Sequence, residues 1–283
     1  MKLNAIMIVS NEVDIVEETL LNAMKFCHKI YIYDNNSTDG TWEVLNEMAA
    51  RFNDLVIVGQ TDESEKRLLR NRVYNRYHSE YAADDWWYLL GPDELLAESP
   101  IKALKRASAA SKNIMNVWHA QFYFTDVDYE NYENEDIKTP IAQRRRYYAL
   151  NWKAPRFFCN DPIKKWPENT MDNLPPWSSC PSAEIPISRR YCQRTPEQMQ
   201  SSANGPQQKM FSTIFNKRKP TVNYTNARTL YFYSDGGDFR FSTIALMKCY
   251  LKKGFSFLQT HYSMLLKKWH SNTKKLPAQS KPF

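Results

Sequence analysis

WWYLLGPDELL, residues 86–96, is the stretch that decides the fold. Five bulky residues, Trp86 to Leu90, make an apolar run of strand length, and Gly91 with Pro92 ends it. Such a run suits a buried strand, with two carboxylates, Asp93 and Glu94, standing at its carboxyl end. In an open α/β sheet, ligands bind beyond that end. Adjacent acids repel each other, so a cation has to offset them: a divalent metal with a pyrophosphate, or an arginine. The competing reading is that the pair caps a following helix.

Upstream of this stretch the chain repeats one pattern. Ala5 to Val9 is a β-rich run ending at Ser10, Asn11 and Glu12; Asp14 to Lys25 then places Ile15, Val16, Thr19, Leu20, Ala23 and Met24 at helical spacing. Ile30 to Tyr33 reads as a second strand, DNNSTDG as a loop, and Thr41 to Phe52 as a helix with Trp42, Leu45 and Met48 inward. Leu55 to Val58 is the third strand, and Ser64 to Tyr81 a long helix rich in Arg and Tyr. Strands alternating with helices imply right-handed parallel βαβ units whose loops gather along one sheet edge. The carboxylates and amides collected there suit a nucleotide, because Asp accepts from a base N–H or a ribose hydroxyl. Taken alone, DNNSTDG also reads as an ordinary turn with Thr38 or Asp39 capping the next helix.

Three segments in this order, VSNE (9–12), YIYDNNSTDGTWEVL (31–45) and WWYLLGPDELL, resemble the family 2 glycosyltransferases of GT-A fold. The corresponding family segments read V-x-N-E, Y-x-D-N-x-S-x-D-G-T and D-A-D-E. A fourth, RRYCQRTPEQMQ from Arg189, is similar to the H-Y-x-x-R-S-P-E-Q stretch of one branch. The resemblance implies an α/β, GT-A (Rossmann-like) fold: a mostly parallel central sheet flanked by helices, here with a C-terminal helical extension. It implies an inverting transfer of a sugar from a nucleoside diphosphate donor, a UDP-sugar first among the candidates, to an acceptor hydroxyl in polysaccharide, lipopolysaccharide or glycoprotein synthesis. It implies that Asp34 contacts the base or ribose, that Asn11 and Glu12 shape the nucleoside pocket and that Asp93 lies at the diphosphate and a Mn2+ or Mg2+ ion. Ser10, Glu94 and Arg190 beside them complete the expected donor set, and of Arg67, Arg70 and Arg72 on the long helix Arg70 is the one expected to reach a phosphate, because an arginine fork suits phosphate oxygens.

The pattern is broken in two places. Gly91 stands where the family has the first Asp of D-A-D-E, and Arg190 stands where it has the His of the fourth motif. An arginine cannot ligate a metal and repels a dication, so both changes weaken a metal site. Two readings follow: Arg190 takes over the neutralisation of the leaving diphosphate, or the chain is a catalytically degenerate module that binds nucleotide-sugars without turning them over. Asp93 and Glu94 holding a hydrated Mg2+ is a third.

An inverting transfer needs a carboxylate to take the acceptor's proton, for which Asp126, Asp128 and Glu184 are the candidates, with Glu168 beside them. NWKAPRFF (151–158) echoes a family stretch, w-x-E-x-R-F-F, but lacks its Glu. His119, inside the alternating run Ile114 to Phe124, reads as a core residue. Arg144, Arg145 and Arg146 read as solvated, the alternative being a phosphate contact. Seven prolines between Pro155 and Pro186, with Trp166 and Trp177 among them, make an irregular segment that serves either as a lid or as a cover over the sheet.

The expected organisation is a nucleotide-sugar half (1–110), an acceptor half with the Pro-rich loop (111–239) and a basic tail (240–283). From Arg240 onward there are nine Lys or Arg and no acid, with Phe257, Leu258, His261, Tyr262, Leu265, Leu266 and Trp269 on one helical stripe. That tail reads as a membrane-surface helix or as a helix docked on the domain. An apolar fraction of 42% over 283 residues is ample for a core. The net charge of +7 favours an anionic partner, and with no nucleic-acid motif present the nucleotide-sugar and a glycan or lipid-linked acceptor are the expected ones. Five unclustered cysteines suggest neither zinc nor disulfides, and no apolar run reaches the length of a signal core or a membrane span. The expected location is cytoplasmic, peripheral at a membrane if the tail anchors there.

Overall fold

The computed structural model describes residues 1–168, 172–184, 186–192 and 194–196, with the short strands 232–235 and 238–241. The strands are β1 (Leu3–Val9), β2 (Lys29–Asn35), β3 (Leu55–Thr61), β4 (Trp86–Leu90), β5 (Glu94–Leu96), β6 (Ile114–Phe122), β7 (Tyr147–Cys159), β8 (Ile187–Arg190), β9 (Phe232–Asp235) and β10 (Asp238–Phe241). The helices are α1 (Val16–Ala23), α2 (Thr41–Arg51), α3 (Lys66–Tyr77), α4 (Ile101–Ala109), α5 (Asp126–Asn131) and α6 (Ile141–Arg144).

One sheet runs in the order β3-β2-β1-β4-β7-β6-β8-β5, with β9 pairing β7 and β10 pairing β9. Its first half is parallel, as the βαβ repeats require: β1 lies between β2 and β4, with Val9 opposite Asp34 and Met7 opposite Leu90. The carboxyl ends of β1, β2 and β4 therefore share an edge. Every residue of β1 and β4 is buried, which is why these strands carry no polar alternation. Successive side chains enter different cores. Trp86, Tyr88 and Leu90 pack with α1 and α2 residues such as Leu20 and Leu45, whereas Trp87 and Leu89 pack with Leu69, Val73 and Tyr74 of α3.

The second half is wired differently. β7 runs antiparallel between β4 and β6, and β8 lies parallel to β6 with β5 antiparallel on its outer side. The expected divide near residue 110 falls in the α4–β6 turn, and the sheet crosses it without a break. Gly91 and Pro92 turn the chain straight from β4 into β5, so Asp93 precedes a strand and Glu94 opens it; the helix-capping reading is set aside.

In the second half one open reading is decided and one expectation is corrected. Trp166 is 1% exposed and packs edge-on against Tyr74 and Phe158, while Asn75 exchanges hydrogen bonds with its backbone and Asn71 donates to the Pro167 carbonyl. A segment whose Trp is built into the core is a cover over α3, not a lid. Arg145, read as solvated, is buried. The rest of the TPEQMQ stretch beyond Pro196 and the amphipathic tail after Phe241 lie outside the described residues. Among those described, no helix is long and apolar enough to cross a membrane.

Candidate functional site

At the end of β2, Asp34 is fully buried and its carboxylate is filled by neutral donors: the Ser37 amide at 3.0 Å, the Gln60 side-chain amide at 2.9 Å, and the Ser37 hydroxyl. The loop that follows is sewn to the β1 loop. The Asn11 amide donates to Ser37 Oγ at 3.0 Å and the Thr38 amide to Asn11 Oδ1 at 2.8 Å; Asn11 takes a φ of 56°, a left-handed conformation that Asn tolerates. Asp39 accepts from the Val13 and Thr41 amides, and Gly40 holds the helix N-cap position. DNNSTDG is thus both a turn and one wall of the site. Ser10, half-buried, opens the β1 loop.

At the end of β4 the acids face cations. Arg190 Nε lies 3.2 Å from Asp93 Oδ2 and 3.8 Å from Glu94 Oε1, and Arg156 grips Glu94 with two hydrogen bonds of 2.9 and 2.6 Å. Strand register makes these meetings: Glu94 is opposite Arg190 in the β5–β8 pair, and Phe157, opposite Tyr88 on β7, carries Arg156 just past it. Burial alone would raise the Glu94 carboxyl, but the Arg156 guanidinium overrides it and holds the group down at about 2. His119, fully buried, lies 3.9 Å from Glu94. Burial, with Arg156 and Arg190 adding to it, holds its imidazole down at about 4 against the pull of Glu94, so the ring is uncharged at neutral pH.

Gly91 has a physical reason. A Cβ there would fall 2.7 Å from Glu94 Cδ and 2.8 Å from its Oε1, so the Glu94 carboxylate occupies the room an aspartate at 91 would need. Each acid is already committed to a guanidinium, and no group of three or more His, Cys, Asp and Glu among the described residues is gathered to hold a metal. The residues at Asp93 do not fit a divalent ion.

A third ion cluster ties the β1 loop down. Arg194 is 1% exposed; it bonds both oxygens of Asp14 at 2.7 Å and also donates to Glu12. Burial, with Asp93 adding to it, pushes the Glu12 carboxyl up to about 7 against the Arg194 charge. Arg145 in turn donates to the Arg194 carbonyl and pairs with both oxygens of Glu135. Arg70 stands on α3 within electrostatic reach of Arg156, Glu94 and Arg190; burial, then the Arg156 charge, brings its guanidinium down to about 10.

The three candidate bases are not brought together. Asp128 closes a capping box with Thr125 at the start of α5, beyond the carboxyl end of β6. Glu184 is gripped by Arg106 in the last turn of α4, near the amino end of β4, where Trp86 Nε1 bonds Ser108; this is the edge opposite Asp93. Asp126 opens α5 at the carboxyl end of β6. A cleft of about 440 Å3 lies next to it, lined by Asp128, Asn131, Glu135, Gln143 and Arg145 among others. Sequence reasoning passed over Arg156, Arg194 and Asp14. The first is the Arg of the R-F-F echo and the second the Arg of the H-Y-x-x-R stretch, so both had a signal; Asp14 had none.

No family model and no curated protein sequence matches the chain. Among solved structures it is similar to a mannosyltransferase, PcManGT from Pyrobaculum calidifontis in complex with GDP-Man and Mn2+, at 12% identity and a TM-score of 0.45, over 95% of this chain and 83% of that one. It is also similar to residues 1–349 of S. aureus TarS, at 16% identity and a TM-score of 0.34, over 43% of this chain. It spans 36% of that TarS chain, about a third.

Proposed function

We propose that the protein is a glycosyltransferase, moving a sugar from a nucleoside diphosphate to an acceptor hydroxyl with inversion. The observation that carries this reading is the meeting, at one edge of a parallel sheet, of the β1 and β2 loops, held in shape by the buried Asp34 and suited to a nucleoside, with an Asp93–Arg190 pair suited to a diphosphate. In the proposed step the acceptor oxygen bonds to the anomeric carbon as that carbon's bond to the diphosphate oxygen breaks. The electron pair leaves on the diphosphate, where Arg190 neutralises it, and the acceptor proton passes to a carboxylate. Asp126 is the candidate base retained, since Asp128 is engaged as a cap and Glu184 lies across the sheet. Glu12, fixed by Arg194, borders the nucleoside, and a UDP-sugar is the first donor to try.

The experiment is donor hydrolysis with UDP-, GDP- and dTDP-sugars, reading released nucleotide with chelator and with Mn2+ or Mg2+. Turnover is expected to survive chelator and to vanish in Asp93→Asn, which keeps the shape but removes the charge facing Arg190. A fully active Asp93→Asn protein would remove the central assignment. Nucleotide-sugar binding with no turnover under any condition makes the chain a binding module.

A further inference from the structure

The charges at the carboxyl edge are layered. Glu94 and Asp93 lie at the bottom with side chains 1% and 8% exposed, while Arg156 and Arg190 lie over them at 16% and 25%. Arg70, partly exposed on α3, is within electrostatic reach of Arg156, Arg190 and Glu94. Among the described residues it makes neither a hydrogen bond nor an ion pair, unlike the other two arginines. His119 beneath them is uncharged at neutral pH, so three guanidinia face two carboxylates. A molecule entering from solvent meets cations first. A divalent cation is turned away before it reaches either acid, whereas an oxyanion finds a half-desolvated guanidinium with no counter-charge of its own.

We infer that this edge is a diphosphate site that works without a divalent cation, in which Arg70 supplies the charge left over after Asp93 and Glu94 are matched. Planar N–H forks on Arg70, Arg156 and Arg190 suit phosphate oxygens, and the two carboxylates beneath hold the last two forks in place. This rests on the proposed function only for which molecule brings the diphosphate; the charge arrangement stands without a sugar.

The test is titration calorimetry of the full chain with inorganic pyrophosphate, UDP, GDP and UMP in EDTA, repeated for UDP in Mn2+. Pyrophosphate and both diphosphates are expected to bind in EDTA, UMP more weakly, and Mn2+ to leave the UDP affinity unchanged. Arg70→Gln should weaken pyrophosphate by about tenfold or more and Arg70→Lys by less, because a point charge replaces part of what a fork gives. Thermal unfolding of Arg70→Gln controls for folding: a side chain that makes no hydrogen bond or ion pair among the described residues should leave the midpoint close to the parent's. Pyrophosphate binding that needs Mn2+, or that is equal in Arg70→Gln and the parent, overturns the inference. Arg70-dependent pyrophosphate binding with no turnover of any nucleotide-sugar would defeat the transferase reading and leave this site standing. Turnover with no pyrophosphate binding in EDTA would do the reverse.

Discussion

Two aspartates sit at the carboxyl ends of the two parallel strands that flank β1, and they have been given opposite surroundings. Asp34, at the end of β2, is met by an amide, a hydroxyl and a Gln side chain, all neutral and two of them only three residues away. Asp93, after β4, with Glu94 beside it, is met by guanidinia from residues 97 and 62 positions distant. An acid placed at a strand end by local sequence is therefore not yet a chemical statement. What the acid does is set by what the sheet's second half brings to it, and at β4 that is a fixed positive charge.

The sharpest way to break this contrast is to amidate each pocket in turn. Glu94→Gln leaves Arg156 half-buried without its counter-charge and should cost about 3–5 kcal/mol, read as a lowered denaturant midpoint. The same pair sets the acid response. Glu94 is held at about 2 from an ordinary 4.5, so its contribution is complete above pH 4.5 and is lost as pH falls toward 2. His119 is held at about 4 from 6.5, so the penalty for its buried neutral ring enters as pH falls from 6.5 to 4. The parent midpoint should fall across both windows. In Glu94→Gln the share of the loss that Glu94 contributes between 4.5 and 2 should disappear while the His119 share remains, so the curve there should be shallower than the parent's; a parallel curve would contradict the pairing.

Next in size is Gly91→Ala, whose methyl group collides with Glu94; about 1–3 kcal/mol of lost stability is expected, together with weaker nucleotide binding. A neutral outcome would mean that Glu94 can vacate its place freely. Asp34→Asn should cost only about 1 kcal/mol, because Oδ1 keeps its two amide donors and the Ser37 hydroxyl can rotate to accept from the new amide. If it proved as damaging as Glu94→Gln, the two pockets would not differ in kind. The smallest effect belongs to Arg106→Ala. Its pair with Glu184 is exposed, and an exposed pair's attraction is largely offset by the ordering of two long side chains, so neither the unfolding midpoint nor donor hydrolysis should move measurably.

The first four strands, their helices and the placing of Asp34, Asp93 and Glu94 at one edge were legible because each signal is local. An apolar run ends at a turn residue, and hydrophobic spacing changes from the strand to the helix period. The acid–arginine pairs were only half legible. Arg190 stood out as a substitution in a motif, but Arg156 lay in a stretch noted for the Glu it lacks, and Arg194 in one noted for its missing His. Arg145 was misread for the opposite reason, and the Trp166 segment stayed open between lid and cover. An Arg in a run of three looks like surface, and a Trp among prolines has no fixed place, until Glu135 and Tyr74 are seen to receive them.

By itself the sequence determined the parallel half of this protein and which acids end its strands, because burial pattern and turn chemistry act over a few residues. Only the tertiary structure decided that Asp93 and Glu94 are covered by guanidinia, and that Gly91 leaves room for Glu94 once Arg156 holds it. The acid–arginine contacts join residues 62 and 97 positions apart, and their pairing depends on the register of β5 with β8 and of β4 with β7. A shift of one residue in either register would turn these side chains to the other face of the sheet.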